Sequence, residues 1–249
     1  MSRDFEQYFK NFLELPFERI LERYRLQKVL ELIDSEHVGN VGKILEVGPA
    51  LSPVFDKLDE YELIHILEPI YKCYQMNLQK TKERNSLHIF NLTLEDFLDS
   101  PQRCSEYDLI LLSSVLHEMP NYRKALKSCH SLLAKDGKIL IVVPNNESIH
   151  RLIGARNGIH PIGEKLTINE LLMQQRISFS VKTAKHNFEK HGFKTIFMKT
   201  EFIKIFSNSD MQDLLNQGIL NEDIINIFSK ISSLLPNVGA EIFYLGQKI

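Results

Sequence analysis

Apolar positions along the chain change period several times. Over residues 4–33 they recur at helical spacing, as Phe5, Tyr8, Phe9 and Phe12, and then after Pro16 as Phe17, Ile20, Leu21 and Tyr24. Proline suits a helix start and breaks a helix interior, so two amphipathic helices are predicted to meet near Pro16. Gly39, Asn40 and Gly42 then turn the chain into a series of short apolar runs: KILEV at 43–47, LIHIL at 63–67, SLHIF at 86–90, YDLILL at 107–112 and KILIVVP at 138–144. Helical patterns over 70–83 and 122–133 separate some of these runs, and Lys135, Asp136 and Gly137 are predicted to turn into the fifth. Beyond Pro144 the pattern loosens for about 35 residues. A helix over 181–191, a long strand over 193–206, helices over 210–217 and 221–235 and a last strand, AEIFYLGQ at 240–247, complete the reading. Apolar strands alternating with helices predict an α/β fold with a parallel sheet covered on both faces.

Size and composition narrow the class without naming a function. A chain of 249 residues with 43% hydrophobic and 25% charged residues is an ordinary globular composition and can bury a large core. A formal net charge of -2 argues against a nucleic-acid backbone as the main partner. Cys73, Cys104 and Cys129 lack the paired spacings of zinc or thiol redox sites and are expected to be buried thiols. The remaining histidines show no metal-ligand spacing, so no metal site is predicted. The charged first residues carry no apolar leader and no run approaches a bilayer span, so a cytoplasmic location with no membrane partner is expected.

The stretch KILEVGPALSPVF, 43–55, reads as strand, tight turn and helix, the order that presents backbone N–H groups and a helix start to a ligand. An acid, Glu68, ends the second strand twenty positions after Gly48. A dinucleotide is one candidate ligand, but only one glycine of the pyrophosphate fingerprint is present, and Glu46 would repel phosphate.

Glu46, Gly48, Glu68 and the run YDLILLSSVLHEM together resemble the class I S-adenosylmethionine-dependent methyltransferases, whose motif I is E/D-x-G-x-G-x-G. The resemblance covers about residues 40–205. It implies a Rossmann-like doubly wound sheet of seven strands, mostly parallel with an antiparallel last strand, over 40–249. A helical cover would occupy 1–39 and a helical insertion about 207–237. The cover would pack on the sheet edge or act as a lid. The implied cofactor is S-adenosyl-L-methionine, with S-adenosyl-L-homocysteine as its product. Glu46 would lie beneath the methionine end, with Gly48, Pro49 and Ala50 as backbone neighbours. Glu68 would accept from the ribose hydroxyls, Pro69 and Ile70 would lie against the adenine, and Thr93 and Leu94 would meet its edge. Ser113 and Ser114 would face the methionine. Ala50 and Ser52 replace two motif glycines; if position 50 requires positive φ, Ala50 costs about 1 kcal/mol.

Methyl transfer from a sulfonium requires alignment and exclusion of water, and an oxygen acceptor also requires a base. His117 follows the fourth strand directly and is a candidate base, with Glu118 as a substrate contact. The segment PNNESIHR resembles a methyltransferase subgroup acting on sugars and other small molecules. That likeness implies His150 as a second candidate base and Asn145, Arg151, Arg176 and Lys204 as substrate contacts, with Asn208 near Lys204. Arginines there would suit a phosphate or carboxylate. The expected function is thus methyl transfer to an oxygen or nitrogen of a small anionic metabolite, phosphorylated, carboxylated or nucleotide-linked, of a cell-surface glycan pathway. The protein would be a monomer or homodimer. The alternatives are a catalytically silent, partner-binding module of the same fold and a nicotinamide dehydrogenase.

Overall fold

The computed structural model describes residues 3–14, 16–81, 84–103, 106–159, 163 and 165–249. Cys104, expected to be a buried thiol, lies outside them. Helices α1 (Phe5–Leu13) and α2 (Pro16–Ile33) come first, with Pro16 as the first helical residue, where its missing N–H costs nothing. Strands β1 (Lys43–Val47) and β2 (Leu63–Leu67) fall where the apolar runs predict them. After helix α3 (Tyr71–Thr81) come β3 (Leu87–Phe90), α4 (Leu94–Leu98), β4 (Tyr107–Ser113), α5 (Tyr122–Leu132) and β5 (Leu133–Pro144). Helices α6 (Ile149–Arg156), α7 (Ile168–Leu172) and α8 (Val181–Lys190) lead to β6 (Phe193–Glu201). Helices α9 (Asn208–Asn216) and α10 (Glu222–Ile231) then precede β7 (Glu241–Lys248).

The seven strands form one sheet in the order β3-β2-β1-β4-β5-β7-β6. Strand β7 is antiparallel to both neighbours and the other pairings are parallel, as the family resemblance implies. The strand order reverses between β1 and β4, so the carboxyl ends of these strands flank the crevice where ligands bind in such sheets. Alternation along β1 sends Leu45 and Val47 to one face, with Leu126 and Cys129 of α5 and Phe188 of α8. Ile44 faces the other side, with Val29 and Ile33 of α2. Each face thus has its own apolar layer, and the strands between are buried on both sides.

Four sequence expectations are corrected. The turn after β1 leads into a single 3₁₀ turn, Val54–Asp56, instead of a full helix; Pro53, extended at φ -69°, ψ 146°, starts it late, and Lys57 already leaves helical geometry. Strand β5 begins at Leu133 and absorbs the predicted turn. Leu133 pairs with Tyr107 before a shift in register, and Asp136 takes φ +63°. Strand β6 stops at Glu201 because Phe202 turns left-handed at φ +62°. The loosened region after Pro144 holds α6 and α7.

The N-terminal helices do more than line a sheet edge. The first half of α2 packs Phe17, Leu21 and Tyr24 against Phe202, Met211 of α9 and Ile225 of α10, and its second half covers the sheet face. Helix α1 lays Phe9 and Phe12 against Ile70 and Cys73, with Ala50 and Leu51 alongside, at the carboxyl ends of β1 and β2. Cys73 and Cys129 are buried free thiols, each pushed up to about 12 by burial. Among the described residues, no helix is long and apolar enough to cross a membrane and no group of three His, Cys, Asp or Glu side chains could hold a metal ion.

Candidate active site

The turn after β1 is built by its own acids. Both oxygens of Glu46 accept the Val54 N–H at 3.1 Å, so the carboxylate caps the short 3₁₀ turn from beneath. Burial pushes Glu46 up to about 8, and the nearby Asp56 and Glu68 act in the same direction. Gly48 sits at φ +64°, where a Cβ would stand 3.0 Å from Val115 Cγ2, so both conformation and space call for glycine. Ala50 is also left-handed, at φ +50°, and therefore carries the strain that a glycine would avoid.

The acid that follows β2 and a side chain of α3 hold Ala50 in that conformation. Glu68 Oε2 accepts the Ala50 N–H at 2.8 Å and Oε1 accepts the Ile70 N–H at 2.8 Å. Asn77 Nδ2 donates to the Ala50 carbonyl at 2.8 Å. Glu68 is 1% exposed, and burial pushes it up to about 7 despite these two donors. Both its oxygens are thus committed to backbone.

A cavity of about 410 Å³ opens from this turn toward the ends of β4, β5 and β7. Of the residues singled out in the sequence, Glu46, Gly48, Pro49, Ala50, Ser113, Ser114, His117, Glu118, Asn145, His150, Arg151 and Lys204 line it. Glu68, Pro69, Ile70, Thr93, Leu94 and Arg176 do not border it. Thr93 caps α4 by accepting the Asp96 N–H, Leu94 is core, and Arg176 is exposed.

His117 and Glu118 lie in the 3₁₀ turn Leu116–Glu118 that follows β4, and both are buried. His117 is a candidate base that the sequence offers. Burial, with Arg25 and Arg3 adding positive charge nearby, lowers it to about 3, and its Nδ1 has no hydrogen-bond partner. Glu118 is raised by burial and paired with Arg3, whose guanidinium lies 4.1 Å from the Tyr8 ring centroid. Helix α1 is thereby tied to the loop after β4.

On the opposite wall sequence reasoning singled out Lys204 and Asn208 but missed Glu18, Arg25 and Glu241, which continue their polar chain. Lys204 Nζ donates to Asn208 Oδ1 at 2.6 Å, and Asn208 Nδ2 donates to Glu18 Oε2 at 2.9 Å. Arg25 donates to Glu18 Oε1 at 3.1 Å and through Nε to both oxygens of Glu241, at 2.9 and 3.1 Å. Glu18, Glu22 and Arg25 recur at intervals of four and three along α2. That spacing places them on one helix face beside Leu21, and it was the available signal. Burial lowers Lys204 to about 8 although Glu18, Glu241 and Glu170 oppose the shift.

The segment after β5 works mainly as scaffold. Asn145 Nδ2 donates to the Asn237 and Gly239 carbonyls at 2.9 and 2.8 Å. Ser148 Oγ and His150 Nδ1 are 3.0 Å apart. Arg151 donates to Glu170 Oε2 at 2.8 Å and to the Lys165 carbonyl at 3.3 Å.

A family model described as a methyltransferase domain matches residues 17–214. No curated protein matches the chain. Among solved structures, the chain is similar to an S-adenosylmethionine-dependent methyltransferase of Thermotoga maritima described as a possible histamine N-methyltransferase. They share 17% identity over 98% of this chain and 95% of that one, with a TM-score of 0.61. A methyltransferase of Archaeoglobus fulgidus aligns at 16% identity over 97% and 99% of the two chains, TM-score 0.56. The N-methyltransferase NodS of Bradyrhizobium japonicum WM9, in complex with S-adenosyl-L-homocysteine, aligns at 14% identity over 95% and 90%, TM-score 0.53. At these identities the likeness is one of fold.

Proposed function

The chain belongs to the class I S-adenosylmethionine-dependent methyltransferases, and on that premise we propose that it methylates an oxygen or nitrogen of a small molecule seated between the Glu46–Ala50 turn and Lys204. The observation that carries this reading is the continuous cavity joining that turn to His117, Glu118 and Lys204. When bound, S-adenosylmethionine supplies a methyl group made electrophilic by its sulfonium sulfur. The lining suits a cationic cofactor: Glu22 is buried with one carboxylate oxygen unpartnered, and the Glu46 carboxyl would be favoured as its anion by a positive charge nearby.

In this reading Gly48, Pro49, Ala50, Ser113 and Ser114 shape the methionine end, and Glu46 and Glu68 hold the turn in place. Glu68, Pro69, Ile70, Thr93 and Leu94 keep the ribose and adenine roles that the resemblance implies. His117, Glu118, His150, Arg151 and Lys204 face the acceptor, framed by Asn145. His117 is neutral at physiological pH but, held at about 3, is a weak base. The chain's contribution is therefore chiefly alignment and exclusion of water, which the aromatic cover of α1 provides.

The charge pattern refines the acceptor. Arg25 is tied to Glu241 and Glu18, and Arg151 to Glu170, so neither guanidinium is free to clamp a phosphate. Lys204 donates to the Asn208 amide oxygen and, as an ammonium, keeps further N–H groups for a ligand. An acceptor with one carboxylate or acidic hydroxyl suits this wall better than a nucleotide-linked one. A screen with methyl-labelled S-adenosylmethionine tests this. Turnover of small monoanionic hydroxy or amino compounds, with none for sugar nucleotides, is expected; the reverse ranking would refute the refinement.

A further inference from the structure

Among the described residues six carboxylates line the cavity, and in five of them no buried oxygen lacks a hydrogen-bond partner. Glu46 receives the Val54 N–H on both oxygens, Glu118 is paired with Arg3, Glu170 with Arg151, and Glu18 and Glu241 with Arg25. Glu22 differs. Arg19 Nε holds its Oε2 at 3.0 Å and the Ser52 hydroxyl lies against the same carboxylate, yet Oε1 is buried without a hydrogen-bond partner. The residue is 7% exposed and borders the cavity with Ala50 and Ser52. Leaving a charged acceptor oxygen unpaired in such a place costs more than the bond it lacks would contribute, so a ligand donor is the natural complement.

We propose that Glu22 binds the α-ammonium of the cofactor's methionine, so that α2 supplies a cofactor contact that the motif after β1 lacks. The inference rests on the cofactor reading above. An unpaired oxygen requires an N–H or O–H donor, and the sulfonium centre has none. The α-ammonium is the cofactor's charged donor, and Ser52 and Ala50 place Glu22 beside the turn expected to carry the methionine end. A charge-assisted bond from an ammonium also suits a carboxylate that burial raises, because the incoming cation favours its ionised form. Helix α2 also packs on the sheet and on α9 and α10. Cofactor binding would therefore draw the cover, the sheet and the insertion together.

The test is calorimetric titration of the full chain with S-adenosylhomocysteine and with its desamino analogue, for the wild type, Glu22→Gln and Glu22→Asp. The wild type is expected to prefer S-adenosylhomocysteine by about tenfold or more. Glu22→Gln should bring the two ligands together, chiefly by weakening S-adenosylhomocysteine, and Glu22→Asp should restore part of the preference. Equal binding of both ligands by the wild type would overturn the proposal without any variant. A parallel loss for both ligands in Glu22→Gln would also overturn it, by making the residue merely structural. An unchanged preference in Glu22→Gln would overturn it as well, because the carboxylate would then not be what reads the ammonium. Folded protein that binds neither ligand would refute the cofactor reading on which the proposal stands.

Discussion

Glu68 Oε2 accepts the Ala50 N–H at 2.8 Å, so the acid that ends β2 holds the turn after β1 in its left-handed form. The bond spans two adjacent strands and couples the two expected cofactor acids' neighbourhoods. A carboxylate read as a ribose ligand is thus also a backbone clamp.

Ala50→Gly should stabilise the protein by about 1 kcal/mol, because it removes the Cβ clash at φ +50°. Glycine's extra freedom in the unfolded chain offsets part of the gain. Denaturant titration measures the balance, and a loss of stability would contradict the strain assigned to this position.

Glu68→Ala should cost roughly 2 kcal/mol or more, since it strips the Ala50 and Ile70 N–H groups of their acceptor in a buried site. It should also weaken S-adenosylhomocysteine binding. A stable variant with unchanged affinity would remove Glu68 from both roles.

The buried pair Arg25 and Glu241 should be costly to break singly. Arg25→Met leaves Glu241 4% exposed without its partner and should destabilise by about 3–5 kcal/mol, while Arg25→Met with Glu241→Met recovers most of the loss. Chemical denaturation of the two variants decides this; equal losses would mean that the pair is not coupled.

Stability without ligand should fall between about pH 6.5 and 8. Glu46 and Glu68 are raised from 4.5 to about 8 and about 7, so the folded state holds protons that the unfolded chain has released. Their contribution is complete below the unfolded value and is lost as pH rises through the folded ones. His117 and His65, lowered to about 3 and about 4, have the opposite sign, and their contribution is lost as pH falls below 6.5. Melting temperature against pH should decline above 6.5, and Glu46→Gln with Glu68→Gln should flatten the decline. A rise over that interval in the wild type would contradict the burial of these acids.

Much of the sheet was legible because its strands are apolar on both faces, and local sequence carries that signal. Leu63–Leu67 and Lys43–Val47 needed nothing beyond their own residues. The helix expected after Ser52 was not legible. Its length is cut by Pro53 and by a carboxylate from β1 that takes the Val54 N–H, a contact between residues eight apart. Glu18, Glu22 and Arg25 were hidden for a related reason: charges on an amphipathic helix ordinarily face water. Here β7 and α9 bring Glu241 and Asn208 to that face. The pairing of Arg151 with Glu170, nineteen positions on, was hidden in the same way.

Methyl transfer by this chain requires a cofactor site at the Glu46–Ser52 turn despite its two missing glycines. Calorimetric titration of the folded protein with S-adenosylmethionine, S-adenosylhomocysteine and NAD tests it most directly. Saturable binding of the first two and none of the third is predicted. Failure of both sulfur ligands to bind would mean that Ala50 and the α1 cover close the site, and the enzyme reading would fall with it.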